Sequence, residues 1–503
     1  MKAKLKSVYT FNTDISDYFK EIKGLLIDIK EKQEEKKEGK PIIFNIEQKG
    51  KKLHLEIIYV DRSYPHQLLF EIRNRIKTEF GKKYHLTIKE LEVPLYEIEF
   101  ELDKEPLAPF ELPFVDEIKY DDTRCLLLFR DVKEERVLQK QYVNRIVKRI
   151  KEKIELQHYI GKAEFSEILW ASEKKDMIWN KDPSKEMFEN GWIAQAKTKG
   201  KWFFGPQFVK ILRAMEKLVL TEIAEPLKFN EVIEPHHESF STLLRTGHLE
   251  GVPMEYYYVC EPKTRTPEDW EDFIDYLKIT KEIPIEILKE KISPPNAINC
   301  YVQCPNIYEF FSGKTIGDDQ FPLLVFDKAA VSNRYESGGR HGIERMDEFH
   351  RIELVYIGTK GQLIEVKDKL IEKYKLIFNE ILDLEWRMSW VTPFYLQHSG
   401  QLGLDDNIER IKGTIDFEAY LPYRGSREDS EWLEFQNLSI LGDKYIRAFN
   451  IKAQRLELWS GCSGIGLERW CAAFLSQKGL NPNDWPNKFR KIVGDLPKQI
   501  VFY

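Results

Sequence analysis

Residues 51–60, KKLHLEIIYV, place Leu53, Leu55, Ile57 and Tyr59 against Lys52, His54, Glu56 and Ile58, the two-residue period of a half-buried strand. On either side, ISDYFKEIKGLLIDIKEKQEEKK and HQLLFEIRNRIKTEF repeat apolar residues at three- and four-residue spacing, which predicts amphipathic helices. YHLTIKELEVPLYEIEFEL and RCLLLFRDV add strands, with Pro94 breaking the first, because proline has no N–H for a ladder. The lysine and glutamate run at residues 31–39 reads as a solvated helix end. Together these elements predict an α+β domain over residues 1–162.

From about Arg136 to Leu156 the pattern is again helical, with Tyr142, Ile146, Ile150 and Ile154 on one face. Arg136, Lys140, Arg145, Lys148, Arg149, Lys151 and Lys153 crowd the remainder. Two readings are open: a solvated helix exterior, or a contact to an RNA backbone. Arg73, Arg75, Lys77, Lys82 and Lys83 form a second basic cluster. Over residues 163–503 the pattern predicts a helix from about 207 to 225, then a strand in EPLKFNEVIEPHHES closed by Pro235. Two helices broken near Pro284 follow within an insertion at about 263–293, then a helix over 365–388 and a buried strand in EWLEFQNLSI. No internal repeat or low-complexity segment interrupts the series.

Length and composition bound the class. At 503 residues the chain has room for two to four domains, at ~150 residues each. With 42% hydrophobic and 32% charged residues it has the means to bury cores and stay soluble. No run of roughly 18 apolar residues suggests a membrane span, and MKAKLKSVYTFNTDISDYFK lacks a signal-peptide core. Six scattered cysteines suit the reducing cytoplasm rather than a disulfide framework. The net charge of −6 argues against indiscriminate nucleic-acid binding but leaves room for one basic face.

The chemistry concentrates in two stretches. NRYESGGRHGIERMDEFHRIE, residues 333–353, reads as strand, turn-rich loop, strand, carrying Arg334, Glu336, Arg345, Phe349 and Glu353. GCSGIGLERW, residues 461–470, puts small residues before Glu468 and Arg469 at a helix start. Glycines there allow close approach to a ligand, and arginine forks onto phosphate oxygens. Cys300 and Cys304 form a C-x3-C pair with no second close pair, short of a four-cysteine structural zinc site. A three-ligand site from Cys304, Glu353 and Cys462 is the alternative, though spacing alone does not establish it, and cysteines are also small buried residues. Cys125, Cys260 and Cys471 fit that plainer role, and His236-His237 reads as a surface or interface pair. SGKT at 312–315 is no phosphate loop, since Tyr308 stands where glycine is required and Phe310 and Phe311 crowd it.

Arg334-x-Glu336 with Arg345-x-x-x-Phe349 resembles motif 2 of class II aminoacyl-tRNA synthetases, and GCSGIGLERW resembles motif 3. The helix, strand and Pro235 resemble motif 1, the dimerisation element. With RTGHLEGVPMEYYYVCEP, NCYVQCPNIYEF, HRIEL, EWLEFQNLSI and LWSGCSGIGLERW, nearly the whole chain resembles the methanogen-type seryl-tRNA synthetases, the zinc-dependent archaeal form. The resemblance implies an antiparallel class II core behind an N-terminal tRNA-binding domain, acting as a cytoplasmic homodimer. It implies zinc on Cys304, Glu353 and Cys462, with the serine amino group at the fourth position. Arg334 would grip the α-phosphate and the serine carboxylate, and Arg345 and Arg469 the γ-phosphate. Arg334 and Arg469 would be the catalytic pair, Phe349 would stack on adenine, and Glu336 would bond near it or at the acceptor end. Glu434 and Asn437 match the magnesium-site strand, with Glu434 also on ATP. Asn437, Ser439 and the loop 389–400 would close over serine, with Phe394 where the family has tryptophan and His398 where it has glutamine. Arg145, Lys148 and Arg149 would meet the long arm of tRNA(Ser), with tRNA(Sec) as a second acceptor.

Three other readings compete. Amino acid:carrier-protein ligases resemble the same zinc core but lack the N-terminal domain. A non-catalytic RNA-binding paralogue would be expected to lose Arg334 or Arg469, and both are present. A zinc-using class II enzyme for threonine would carry histidines among its ligands, against Glu353 here.

Overall fold

The alternation in the first third of the chain becomes one antiparallel sheet. The computed structural model describes residues 1–36, 41–59, 65–133, 138, 142–158, 166–336, 339–391, 413–430 and 432–500. They fall into two units, Met1–Lys162 and Ala163–Tyr503. The first contains β1 (Lys2–Phe11), α1 (Phe19–Lys36), β2 (Ile42–Lys49), β3 (Lys52–Tyr59), α2 (His66–Tyr84), β4 (Ile88–Glu101), β5 (Glu117–Asp121), β6 (Arg124–Lys133) and α3 (Tyr142–Gln157). The strands run in the order β2-β3-β1-β4-β6-β5. Leu53, Leu55, Ile57 and Tyr59 all point into the core, which the apolar faces of the helices complete.

Pro94 does not break its strand. β4 runs through it, and the register against β1 shifts between Lys6↔Leu95 and Val8↔Glu92. A bulge there accommodates the missing N–H. In α3, Ile146, Ile150 and Ile154 are buried together with Val143 and Val147, while Tyr142 only packs against the edge of the core. The helix is described from Tyr142, so Arg136 and Lys140 lie outside the described residues.

The second unit adds β7 (Ser166–Ala171), α4 (Pro206–Val219), β8 (Asn230–Glu231), α5 (Glu271–Thr280), α6 (Ile285–Lys291), α7 (Cys304–Phe310), β9 (Leu323–Asp327), β10 (Val331–Asn333) and β11 (Glu348–Gly358). After these come α8 (Lys360–Lys375), β12 (Trp386–Val391), β13 (Gly413–Ala419), β14 (Leu433–Gly442), β15 (Trp459–Gly466) and α9 (Leu467–Lys478). These nine strands form one sheet, ordered β8-β9-β11-β15-β14-β13-β12-β7 with β10 on the free end of β11. Only β8–β9 is parallel among the pairs described. On one face, Ile352, Leu354 and Tyr356 of β11 meet α4, α8 and α9 in the main core. On the other, Val355 and Ile357 join a smaller cluster with Cys304 and Cys462.

Three local expectations differ from what forms. The helix expected over 365–388 starts at Lys360, where Thr359 and Gln362 make a capping box. It ends near Ile381, and Asp383 turns left-handed at φ 54° so that Trp386 already begins β12. The strand expected within 225–239 and closed by Pro235 divides: Glu225–Leu227 stay helical, Lys228 turns left-handed, and two short strands follow in different sheets, β8 before Pro235 and His237–Ser239 after it. Cys260, expected to be buried, is exposed, whereas Cys125 and Cys471 are buried. No helix among the described residues is long and apolar enough to cross a membrane.

Candidate active site

β11 and β15 lie antiparallel with Glu353 opposite Gly464 and Val355 opposite Cys462. Glu353 and Cys462 therefore share one face, a single diagonal step apart. Cys304, at the start of α7, approaches them from above that face. The two sulfurs and a Glu353 oxygen all lie within 4.8 Å of one another, and all three residues are buried. No other cluster of three such donors occurs among the described residues. Arg351 Nε donates to Glu353 Oε2 at 2.7 Å. Glu353 Oε1 is buried with no partner in the protein. Gly464 makes this possible, because a Cβ there would collide with the Arg351 guanidinium.

A buried acid shapes the approach to Cys304. Glu238 Oε1 accepts from the N–H groups of Tyr301 and Val302 at 2.5 and 3.2 Å. Burial outweighs these bonds and pushes its carboxyl up to about 8. Cys300 turns away from the donor group, and its thiol points at Glu234 Oε1, 3.5 Å away. The Cys462 sulfur and burial together hold the Cys304 thiol well above its ordinary value. Two soft thiol donors and an orphaned carboxylate oxygen fit a zinc-type cation with one open position.

Beyond the end of β15 the strand pair opens onto arginines. Arg334 donates to Glu336 Oε1 through Nε at 3.0 Å and Nη2 at 2.6 Å. Its guanidinium lies between the rings of Tyr301 and Phe349, 4.9 and 5.3 Å from their centres. Arg469 reaches in from α9, donating to Glu344 O at 3.0 Å, Glu434 O at 2.9 Å and the other Glu336 oxygen. Burial opposes the Glu336 charge, yet Arg469 and Arg334 override it and hold the carboxyl at about 2. Arg345, placed by its pairing with His341, adds to the same field. On β14, Glu434 Oε2 lies 3.4 Å from Arg469 Nη1. Asn437 Oδ1 accepts from Gly464 N at 3.2 Å, and Ser439 sits opposite Cys462 with its hydroxyl 2.8 Å from Thr414 Oγ1.

NCYVQCP, the stretch 333–353, EWLEFQNLSI and GCSGIGLERW thus bring these side chains together. Phe394 and His398 lie outside the described residues. In the other unit, Arg145, Lys148 and Arg149 are exposed on α3, and Glu152 lies 3.6 Å from Lys148 and 3.1 Å from Arg149. Sequence reasoning passed over Tyr301, Arg351 and Glu344. Arg351 carried one usable signal, its place two residues before Glu353 on the same strand face.

Residues 1–152 match the family model of a tRNA-binding domain. The chain is 45% identical to the type-2 serine–tRNA ligase of Methanococcoides burtonii, over 87% of this chain and 86% of that one. It belongs to the type-2 serine–tRNA ligase family, and is an enzyme. The Methanothrix thermoacetophila type-2 serine–tRNA ligase is also 45% identical, over 87% of this chain and 86% of its own. A crystal structure of A. aeolicus tRNASec in complex with M. kandleri SerRS superposes with a TM-score of 0.86 over 99% of both protein chains, at 24% identity. That likeness establishes the fold of this family member as a class II synthetase core with an N-terminal tRNA-binding domain.

Proposed function

We propose that this enzyme activates L-serine with ATP and transfers the seryl group to tRNA(Ser), and also to tRNA(Sec), in the cytoplasm. The observation that carries the reading is the convergence of Cys304, Glu353 and Cys462 within 4.8 Å, on the strand pair that also leads to Arg334 and Arg469. Those three donors would hold zinc, which when bound coordinates the substrate amino group. Serine would be held there by its amine, and Arg334 would receive its carboxylate. Ser439 and Asn437 line the side-chain end, where a hydrogen-bonding site discriminates strongly against analogues lacking the hydroxyl.

Phe349 stacks on adenine, Arg345 and Arg469 hold the γ-phosphate, and Glu434 with Asn437 would hold magnesium, which would neutralise phosphate charge. Arg334 bridges the serine carboxylate and the α-phosphate. The carboxylate oxygen attacks the α-phosphorus, the bond to the β-phosphate oxygen breaks, and pyrophosphate leaves. Positioning and charge neutralisation supply the acceleration, with no side-chain nucleophile. The terminal ribose hydroxyl of tRNA next attacks the seryl carbonyl and AMP leaves. The domain matched over residues 1–152 favours tRNA over a carrier protein as acceptor, with Arg145, Lys148 and Arg149 on its backbone. The segment around α4 and Pro235 forms the homodimer interface.

The test is amino-acid-dependent pyrophosphate exchange with serine, threonine, cysteine and alanine, using zinc-replete and chelated protein. Serine-specific exchange, lost on chelation and in Cys462→Ser, is expected. Exchange with another amino acid overturns the specificity, and exchange indifferent to chelation overturns the metal assignment.

A further inference from the structure

β15 stops pairing with β11 at Gly466↔Arg351, where the chain turns into α9. The N–H of His350 would lose its strand acceptor there. The Glu468 carboxylate replaces it, accepting from His350 N at 3.1 and 2.9 Å and lying 2.6 Å from His350 Nδ1. Only 1% of the Glu468 side chain is exposed. Both ends of this bond adjoin residues of the nucleotide pocket: His350 follows Phe349, and Glu468 precedes Arg469.

We infer that Glu468 and His350 are positioning residues that lock the adenine-stacking strand to the phosphate-gripping helix, so that Phe349 and Arg469 keep one fixed separation. The inference rests on the nucleotide reading of that pocket given above. Bonds to a buried carboxylate are stronger than neutral ones, and Glu468 makes them in the first turn of α9, where the helix dipole favours its charge. On another side the Phe204 ring lies 6.4 Å from His350, and Arg213 and Glu216 on α4 act on its charge in opposite senses. None of these contacts includes Cys304, Glu353 or Cys462. The latch therefore acts on ATP and leaves the amine-binding end alone.

The experiment is pyrophosphate exchange by the full chain, varying ATP at saturating serine and serine at saturating ATP. Glu468→Ala and His350→Ala are expected to raise the KM for ATP about tenfold, the scale of one lost charged hydrogen bond. The KM for serine should stay within about twofold, since the Cys304, Glu353 and Cys462 donors are untouched and the latch reaches serine only through the Phe349 ring against Arg334. His350→Asn, which keeps a side-chain donor, should recover most of the loss, and Glu468→Gln, which keeps an acceptor, part of it. Should Glu468→Ala fail to fold, Glu468→Gln and His350→Ala carry the test. An unchanged ATP KM in folded variants overturns the inference, as do ATP and serine KM values rising together. Wild-type protein without serine-dependent exchange would instead overturn the functional reading.

Discussion

Arg149 on α3 donates to Glu152 at 3.1 Å with 46% of its side chain exposed, whereas Arg469 donates to Glu336 with 15% exposed. Both pair arginine with glutamate. The first is a helix-surface pair of a kind that contributes little and dissolves in salt. On the proposed reading its value would lie in being easily broken, because a phosphate backbone would then take the arginine at small cost. The second is fixed by three further acceptors around one guanidinium and by a second arginine on the same carboxylate. One region keeps its charges exchangeable, and the other holds them in place for a single geometry.

The largest effect should come from removing the fixed arginine. Arg469→Ala is expected to lower serine-dependent exchange by roughly 10³-fold, and a loss under tenfold would mean that the buried guanidinium is structural only. Replacing Arg145, Lys148 and Arg149 together by alanine should leave exchange unchanged but raise the KM for tRNA about tenfold. The slope of log KM against log salt should fall by about 2 to 3. An intact salt slope would move the tRNA contact off α3.

A smaller effect reads the buried pair by pH. The folded carboxyl of Glu336 lies at about 2 against an ordinary 4.5. It therefore contributes stability above about pH 4.5 that fades as the pH falls toward 2. The melting temperature of Glu336→Gln should lie several degrees below wild type at neutral pH, and the gap should close below pH 4.5; a gap constant down to pH 3 would place the stabilisation elsewhere. The smallest change is Glu152→Ala, which should shift the unfolding free energy by no more than about 0.5 kcal/mol, read from a urea midpoint.

Local pattern was legible where a single period dominated. The alternation of Leu53, Leu55, Ile57 and Tyr59 became β3, and the repeat of Ile146, Ile150 and Ile154 became the buried face of α3. It failed where a terminator acted without a composition signal, as at Asp383, whose left-handed turn ends the helix before β12. The motif residues announced themselves by type and spacing, but their meeting depends on the register of β11 on β15, which no single segment encodes. Arg351 was passed over for that reason. Its side chain has room only because Gly464 lies on a strand more than a hundred residues away.

β11 also sets a length. Phe349 and Glu353 stand four residues apart on one face of it, about 14 Å at ~3.4 Å per residue. On the proposed reading, one end meets adenine and the other the amine, so the strand works as a gauge for everything strung between them. An amino acid with one extra carbon between amine and carboxylate would seat its amine and still carry its carboxylate past the phosphorus. The rejection of β-amino acids would then be a matter of measured distance, decided by backbone pleat before any side chain is read.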